Sequence, residues 1–336
     1  MLSSSISFSS SSSTSPTTNS IGVVRIGYFA NINHAQALIG IANGDYQKAL
    51  GPSTTIKTQI FTAGPTEMTA LLANQIDMAY VGPSPAVNSF IQSNGTALTI
   101  LAGATSGGAV FVVRNASNIH SVHDLGGKTF AAPQLGNTQD IALRNYLAEN
   151  GFKTSDNGGS VTIKDTSNSN IVTLMVDGQI DGAWVPEPYG SLILAECPSH
   201  VFVDERSLWP GGNFSTAELV VSNSFLKAHA DVVEKIVAAH VAETIWINAH
   251  PQQAATLLDN VIANLTGSPI DMSVLTNSLT FLSFTYDPLS DSVTQQAQNA
   301  FNLGFLGDTP PNLNGLVNVT ILNQVLKQQG LPQVGN

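Results

Sequence analysis

Four short stretches of the chain put hydroxyls, side-chain amides and backbone N–H groups where an apolar run ends and a helical pattern begins. They are Ala30-Asn31-Ile32-Asn33-His34, Gly82-Pro83-Ser84-Pro85, Gln134-Leu135-Gly136-Asn137-Thr138 and Pro186-Glu187-Pro188-Tyr189, and none contains Lys or Arg. A helix N-terminus carries unpaired N–H groups and about half a unit of positive charge, so an oxyanion can be held there without a cation. Asn137 and Thr138 add side-chain donors beside such amides, and Gly136 lets the backbone approach closely. Ser84, Asn33, His34 and Gln134 are further candidate contacts, and Ser106, followed by Gly107-Gly108, offers more amides. Glu187 is the one acid in these loops, stiffened between two prolines. It suits the ammonium of an aminated ligand and repels a plain anion. Tyr189, with Tyr28, Phe29 and Trp184, can wall an organic tail. Each residue also has a plainer role: Asn137 as a helix N-cap, Glu187 as a solvated carboxylate, His34 as an ordinary first-turn histidine and the aromatics as core.

Other chemistries fit less well. Gly82-Pro83-Ser84-Pro85-Ala86 mimics a nucleophile elbow, but that device uses the N–H of the residue after the serine, and Pro85 has none. Ser84 is therefore expected to aim a hydroxyl into a cleft. His120, His123 and Asp124 lie in a polar connector without further metal ligands and read as a solvated loop. Cys197 precedes a proline with no base partner in sight. No phosphate-cradling loop and no dinucleotide fingerprint occur. The expectation is binding without catalysis, metal or cofactor.

The elements that must position these loops follow a regular grammar. Val23–Phe29, Thr55–Phe61 and Gln75–Val81 read as strands, each followed by a helical pattern, and the alternation restarts at Gly127. Strands alternating with helices of this length imply βαβ units and mostly parallel sheets. Two segments echo each other: QIDMAYVGPSP (Gln75–Pro85) and QIDGAWVPEP (Gln179–Pro188) share Gln-Ile-Asp-x-Ala-aromatic-Val and a proline turn. The expected organisation is a Ser/Thr-rich disordered tether over 1–20, one lobe from 21–113 plus 216–336 with C-terminal helices, and a second lobe from 114–215. Two chain crossings between the lobes make a hinge, with the ligand in the cleft between them.

Composition narrows the partners. The chain has 336 residues, only 10% of them charged, and a net charge of −11 with 12 Lys+Arg. That argues against nucleic acid and anionic membranes, both of which need clustered cations. One cysteine excludes an intrachain disulfide. No apolar run reaches the roughly 18 residues of a membrane span. The Ser/Thr-rich start has no cationic or apolar core of an export signal, although tethers of this kind follow such signals in cell-surface proteins.

The stretches PQLGNTQDIALR, WVPEPYGSLILAE and GYFANINHAQALIG resemble solute-binding proteins of ABC importers. The most similar group serves aliphatic sulfonates, taurine and nitrate, and is related to thiamine-precursor binders. The resemblance runs from about Val24 to the C-terminal helices, with LGNTQDIALR its most specific part. It implies a type II periplasmic-binding-protein fold of two doubly wound α/β lobes with a two-segment hinge. It also implies an extracytoplasmic monomer that closes on a small anion, with a sulfonate favoured, and docks on a permease working with an ATPase. It moves Asn137 towards a ligand role. A cofactor-biosynthesis enzyme on the same fold is the competing expectation, as are nitrate or a thiamine precursor as ligand.

Overall fold

The computed structural model describes residues 22–335; the Ser/Thr-rich segment expected to be a disordered tether lies outside them. The chain begins with β1 (Val23–Phe29), α1 (Ala35–Ala42), α2 (Asp45–Leu50), β2 (Thr55–Phe61), α3 (Gly64–Leu72), β3 (Met78–Val81) and α4 (Pro83–Gln92). There follow β4 (Leu98–Gly107), β5 (Ala109–Arg114), β6 (Thr129–Ala132), α5 (Thr138–Glu149), β7 (Thr162–Asp165), α6 (Asn168–Val176), β8 (Gly182–Pro186), α7 (Tyr189–Glu196) and β9 (Ser199–Asp204). The last part comprises β10 (Ser215–Ser222), α8 (Asn223–Ala228), α9 (Ala230–Ala249), α10 (Pro251–Thr266), α11 (Met272–Leu279), β11 (Leu282–Phe284), α12 (Ser290–Asn302) and α13 (Thr320–Gln328).

The strands form two sheets, in the order β11-β4-β10-β3-β1-β2 and β7-β6-β8-β5-β9. In the first, β1 runs parallel to β2 and β3, while β10 is antiparallel to β3 and β4. In the second, β6 runs parallel to β7 and β8, while β5 is antiparallel to β8 and β9. Each sheet thus receives one strand directly from the other, and a strand arriving from the cleft must run against its neighbours. The sequence pattern alone did not distinguish these strands from the parallel ones. The first change of sheet falls at Gly107-Gly108, both at positive φ (75° and 77°), where glycine is free of the Cβ penalty. β5 therefore pairs within the second sheet, a few residues before residue 113, where the sequence reading ends the first lobe.

Alternation within strands gives each sheet two covered faces. On β1, Val24, Ile26 and Tyr28 join a large cluster with α1 and α9. The other face of the first sheet packs α3, α4 and α12 through Met68, Phe90 and Val293. The second sheet has α5 on one face and α6 and α7 on the other. The repeated Gln-Ile-Asp motifs do the same work in each sheet. The Asp77 carboxylate accepts from Arg25 N at 2.8 Å, and that of Asp181 accepts from Thr129 N at 2.8 Å. Each aspartate ties the segment before one strand to its parallel neighbour. The carboxyl ends of the parallel strands face the cleft, where ligands of such sheets bind.

Candidate functional site: buried hydroxyls between two lobes

The Asn31–Ala35 segment forms a short 3-10 turn, Ile32–His34, leading into α1. Asn31 caps it by accepting from Asn33 N at 3.1 Å, and the Asn33 carbonyl accepts from Thr105 Oγ1 at 2.7 Å. These bonds fix Asn33, whose Nδ2 reaches Thr216 Oγ1 at 3.4 Å and whose Oδ1 has no partner. His34 accepts from Phe29 N through Nδ1 at 3.1 Å and stacks on the Phe29 ring at 4.5 Å. Burial lowers its pKa to about 3, so it is neutral and can offer only an uncharged N–H.

Gly82 caps α4, with prolines at positions 83 and 85 and Ser84 between them. Ser84 is 4% exposed and its Oγ has no hydrogen-bond partner among the described residues. Opposite, from the second lobe, Asn137 occupies the N-cap position of α5 but its side chain makes no capping bond. Its Oδ1 instead turns across the cleft, lying 3.1 Å from where a Cβ on Gly64 would stand, a point also crowded by Pro85. Thr138, 3% exposed, has an unpartnered Oγ1 pressed against Gly82, which leaves no room for a Cβ there. Glycine at 82 thus lets one lobe's strand tip touch the other lobe's helix. Asn33, Ser84, Asn137 and Thr138 meet around this point through Thr216, Gly82 and Gly64.

The remaining candidates sit elsewhere. Gln134 is exposed at the rim, where its Oε1 accepts from Thr66 Oγ1 at 3.0 Å across the two lobes. The Gly136 amide, at φ 78°, donates to Asp140 Oδ2 at 2.8 Å. Ser106 Oγ accepts from Phe214 N at 3.3 Å, and the Gly107 and Gly108 amides bond the carbonyls of Phe214 and Phe281, so this stretch is spent on the hinge. Glu187 is neither solvated nor at a loop surface. It is fully buried, accepts from Ser191 N at 3.1 Å at the start of α7, and its amide bonds Gly108 O. Burial raises its pKa. Tyr189 packs on the face of the second sheet opposite α5.

A cavity of about 710 Å³ extends from Thr138 along the gap between α5 and α12, one helix from each lobe, and no Lys or Arg among the described residues lines it. Its walls include Tyr146, Trp184, Trp209 and Glu205. Several buried acids escaped the sequence reading, among them Glu67, Glu218 and Glu205. Glu67 faces Gly27 with both oxygens unpartnered, and Glu218, on β10 beside Val81, has one oxygen free. Burial pushes both well above the ordinary carboxylate range, and pushes Glu205 up to about 7. For Glu218 the available signal was a single acid inside an otherwise apolar strand, TAELVVS; Glu67 in α3 and Glu205 in a 3-10 turn carried no such signal. His120 and Asp124 form part of a turn: the Asp124 carboxylate accepts from the backbone of His120 and Ser121.

Two α/β lobes joined by two crossings, with buried uncharged groups gathered between them, have the architecture of a solute-binding protein. The NMT1-like family model matches residues 21–262, and the chain belongs to that family. It is 26% identical over 302 residues to the taurine-binding periplasmic protein of Escherichia coli K12, covering 88% of this chain and 85% of that one. It is 24% identical over 236 residues to a putative binding protein of Brucella abortus, 70% of each chain. Among solved structures, the alkanesulfonate-binding protein SsuA from Xanthomonas axonopodis pv. citri, bound to MOPS, superposes with a TM-score of 0.73 at 20% identity, covering 90% of this chain and 99% of that one. The periplasmic nitrate-binding protein NrtA from Synechocystis PCC 6803 superposes at 0.72 with 12% identity, covering 93% and 90%. The fold is that of type II periplasmic binding proteins. These relatives are named as binding proteins, and the competing enzyme expectation finds no support among them.

Proposed function

We propose that the protein is the solute-capturing component of an ABC importer, and that it closes on a small organic sulfonate, an alkanesulfonate or taurine. One observation carries the reading: two buried hydroxyls with no partner, Ser84 Oγ and Thr138 Oγ1, stand at helix N-termini from opposite lobes that meet at Gly82. A buried polar group left unpaired costs about 1–3 kcal/mol, which a ligand oxygen accepting from it recovers. Excluded water strengthens each such bond. No cation is needed, and neutral His34 adds none. The named sulfonate and taurine binders among its relatives support the ligand class, and a cavity of about 710 Å³ suits an organic tail better than nitrate. Work outside the cytoplasm, as a monomer delivering to a permease and its ATPase, completes the proposal.

The test is a thermal-shift panel of taurine, alkanesulfonates, sulfate, nitrate and the thiamine pyrimidine. Ligand at a hundred times its dissociation constant stabilises by about 2.7 kcal/mol. Sulfonates are expected to raise the melting temperature and the others not. A response to nitrate or the pyrimidine alone would overturn the ligand assignment.

A further inference from the structure

The deep wall of the cavity between the lobes is neutral. Trp184 is fully buried, and the two oxygens of Glu205 accept from Trp184 Nε1 at 2.7 Å and from Trp209 Nε1 at 3.4 Å. That wall therefore offers neither an unused indole N–H nor a free buried carboxylate. Glu149 and Asp291 line the space from exposed positions, where water screens their charge. Asp287 is half-buried, spends one oxygen on Leu289 N at 2.9 Å and keeps the other as an acceptor.

The groups left without partners are hydroxyls, and both lobes supply them. Thr138 Oγ1 heads α5 and Ser290 Oγ heads α12, and each is buried with no hydrogen-bond partner among the described residues. Tyr146, further along the same lining face of α5, is 9% exposed, and its hydroxyl makes no hydrogen bond among the described residues. Its Cα lies roughly 12 Å beyond that of Thr138 at about 1.5 Å per residue. Long side chains on a helix lean back towards its N-terminus, which brings the phenol nearer to Thr138. Trp209 lines the same space with Phe214 stacked on one face at 5.3 Å, which leaves the other face for a ligand.

A hydrocarbon tail fits such a wall poorly, because it desolvates the Tyr146 and Ser290 hydroxyls and pairs with neither. A ligand hydroxyl both donates and accepts, so it satisfies each of them in either sense. The C–H groups of a hydroxylated ring also present positive edges to the negative face of an indole. Resting on the sulfonate reading above, we infer that the cavity between α5 and α12 selects a sulfonate whose tail is a polyhydroxylated ring, a sulfonated sugar rather than an alkanesulfonate. Ser84 and Thr138 take the anionic head. Tyr146 and Ser290 take ring hydroxyls from opposite lobes, so the tail favours closure as the head does.

The experiment is titration calorimetry of the full chain with three probes. They are 6-deoxy-6-sulfoglucose, cyclohexylmethanesulfonate, which keeps the ring size and head without hydroxyls, and glucose, which lacks the head. The sulfonated sugar is expected to bind at least tenfold more tightly than either of the others. Tyr146→Phe removes one oxygen and keeps the ring against Phe111 and Trp184. It should narrow the ratio of sulfonated sugar to cyclohexylmethanesulfonate severalfold, as should Ser290→Ala. The wild-type ratio stands even where a variant folds poorly. Equal or tighter binding of cyclohexylmethanesulfonate overturns the inference and leaves the sulfonate reading intact, as does a ratio that survives both substitutions in folded protein. Glucose binding as tightly as its sulfonated form supports the hydroxyl-binding cavity and removes the sulfonate reading. No binding of any probe overturns both.

Discussion

The two lobes repeat one frame and finish it differently. In each sheet a Gln-Ile-Asp turn leads into a central strand, and the aspartate carboxylate accepts from a backbone amide of the neighbouring parallel strand. In the first lobe that strand runs into Gly82-Pro83-Ser84-Pro85 and leaves a hydroxyl without a partner at the start of α4. In the second it runs into Pro186-Glu187-Pro188, whose carboxylate accepts from Ser191 N within its own lobe. The second lobe's unpartnered hydroxyl, Thr138, comes from α5 instead. Equivalent positions in a duplicated frame therefore make unlike contacts: one strand tip keeps a buried hydroxyl without a partner, while its counterpart ties a carboxylate oxygen to Ser191 N and its amide to the Gly108 carbonyl. Function here lies in the few residues after each strand, and the frame supplies only their placement.

The largest effect expected from disturbing this arrangement is steric. Gly82 has φ −69°, so alanine fits its own backbone, but the added Cβ collides with the Thr138 hydroxyl. Gly82→Ala should weaken sulfonate binding about a hundredfold, roughly 2.7 kcal/mol, with the circular dichroism spectrum unchanged. Gly190→Ala, in the first turn of α7 beyond the second strand, should destabilise the fold rather than selectively impair capture, because its Cβ meets Val110 and Glu187 within one lobe. Denaturant melts alongside calorimetry separate the two.

The paired aspartates come next. Asp77→Ala and Asp181→Ala should each destabilise by about 1–3 kcal/mol in urea melts by leaving a strand amide short of its acceptor. The loss at Asp77 should be the larger, since its carboxylate also holds the Arg25 guanidinium. Equal losses would mean the ion pair contributes nothing beyond the shared bond.

Smaller still is the trade at the hydroxyls. Ser84→Ala should weaken sulfonates by about tenfold while leaving the unliganded protein as stable or slightly more so, because it removes a buried group that bonds to nothing. Glu187→Gln should leave the ratio of taurine to alkanesulfonate affinity unchanged, as expected of a brace buried at the hinge. Calorimetry on both variants checks these.

The pH dependence is set mainly by the buried acids. Glu67 and Glu218 have folded pKa values well above the unfolded value of about 4.3, so the native state keeps protons the unfolded chain has released. Stability must then fall as pH rises, by about 1.4 kcal/mol per unit for each such group. His34 and His240, lowered to about 3 and about 4, act in the opposite sense, but only below about pH 6.5. Melting temperature should accordingly drop from pH 6.5 to 8, and Glu67→Gln, a neutral mimic of the protonated acid, should flatten that slope.

Much of the frame was legible in the sequence because strand and helix periods, glycine stops and the Gln-Ile-Asp repeat are local signals. The loops around Ser84 and Asn137 were legible for the same reason: small polar residues and prolines mark a helix start after a strand. Other features depend on distant partners. Nothing near Glu187 announces that the Gly108 carbonyl will take its amide, and nothing near Ser106 announces that Phe214 will take its hydroxyl. The acids Glu67, Glu205 and Glu218 were passed over because each looks ordinary until residues of its own lobe pack over it, Gly27 on Glu67 and the indoles of Trp184 and Trp209 on Glu205.

On the proposed reading, neutral donors from two lobes hold the anion where Gly82 meets Thr138. The most direct measurement is a crystal structure of the full chain with an alkanesulfonate. The account predicts sulfonate oxygens within hydrogen-bond distance of Ser84 Oγ and Thr138 Oγ1, with no Lys or Arg among the contacts. A sulfonate seated on a basic side chain, or anywhere that leaves both hydroxyls unpartnered, would contradict it.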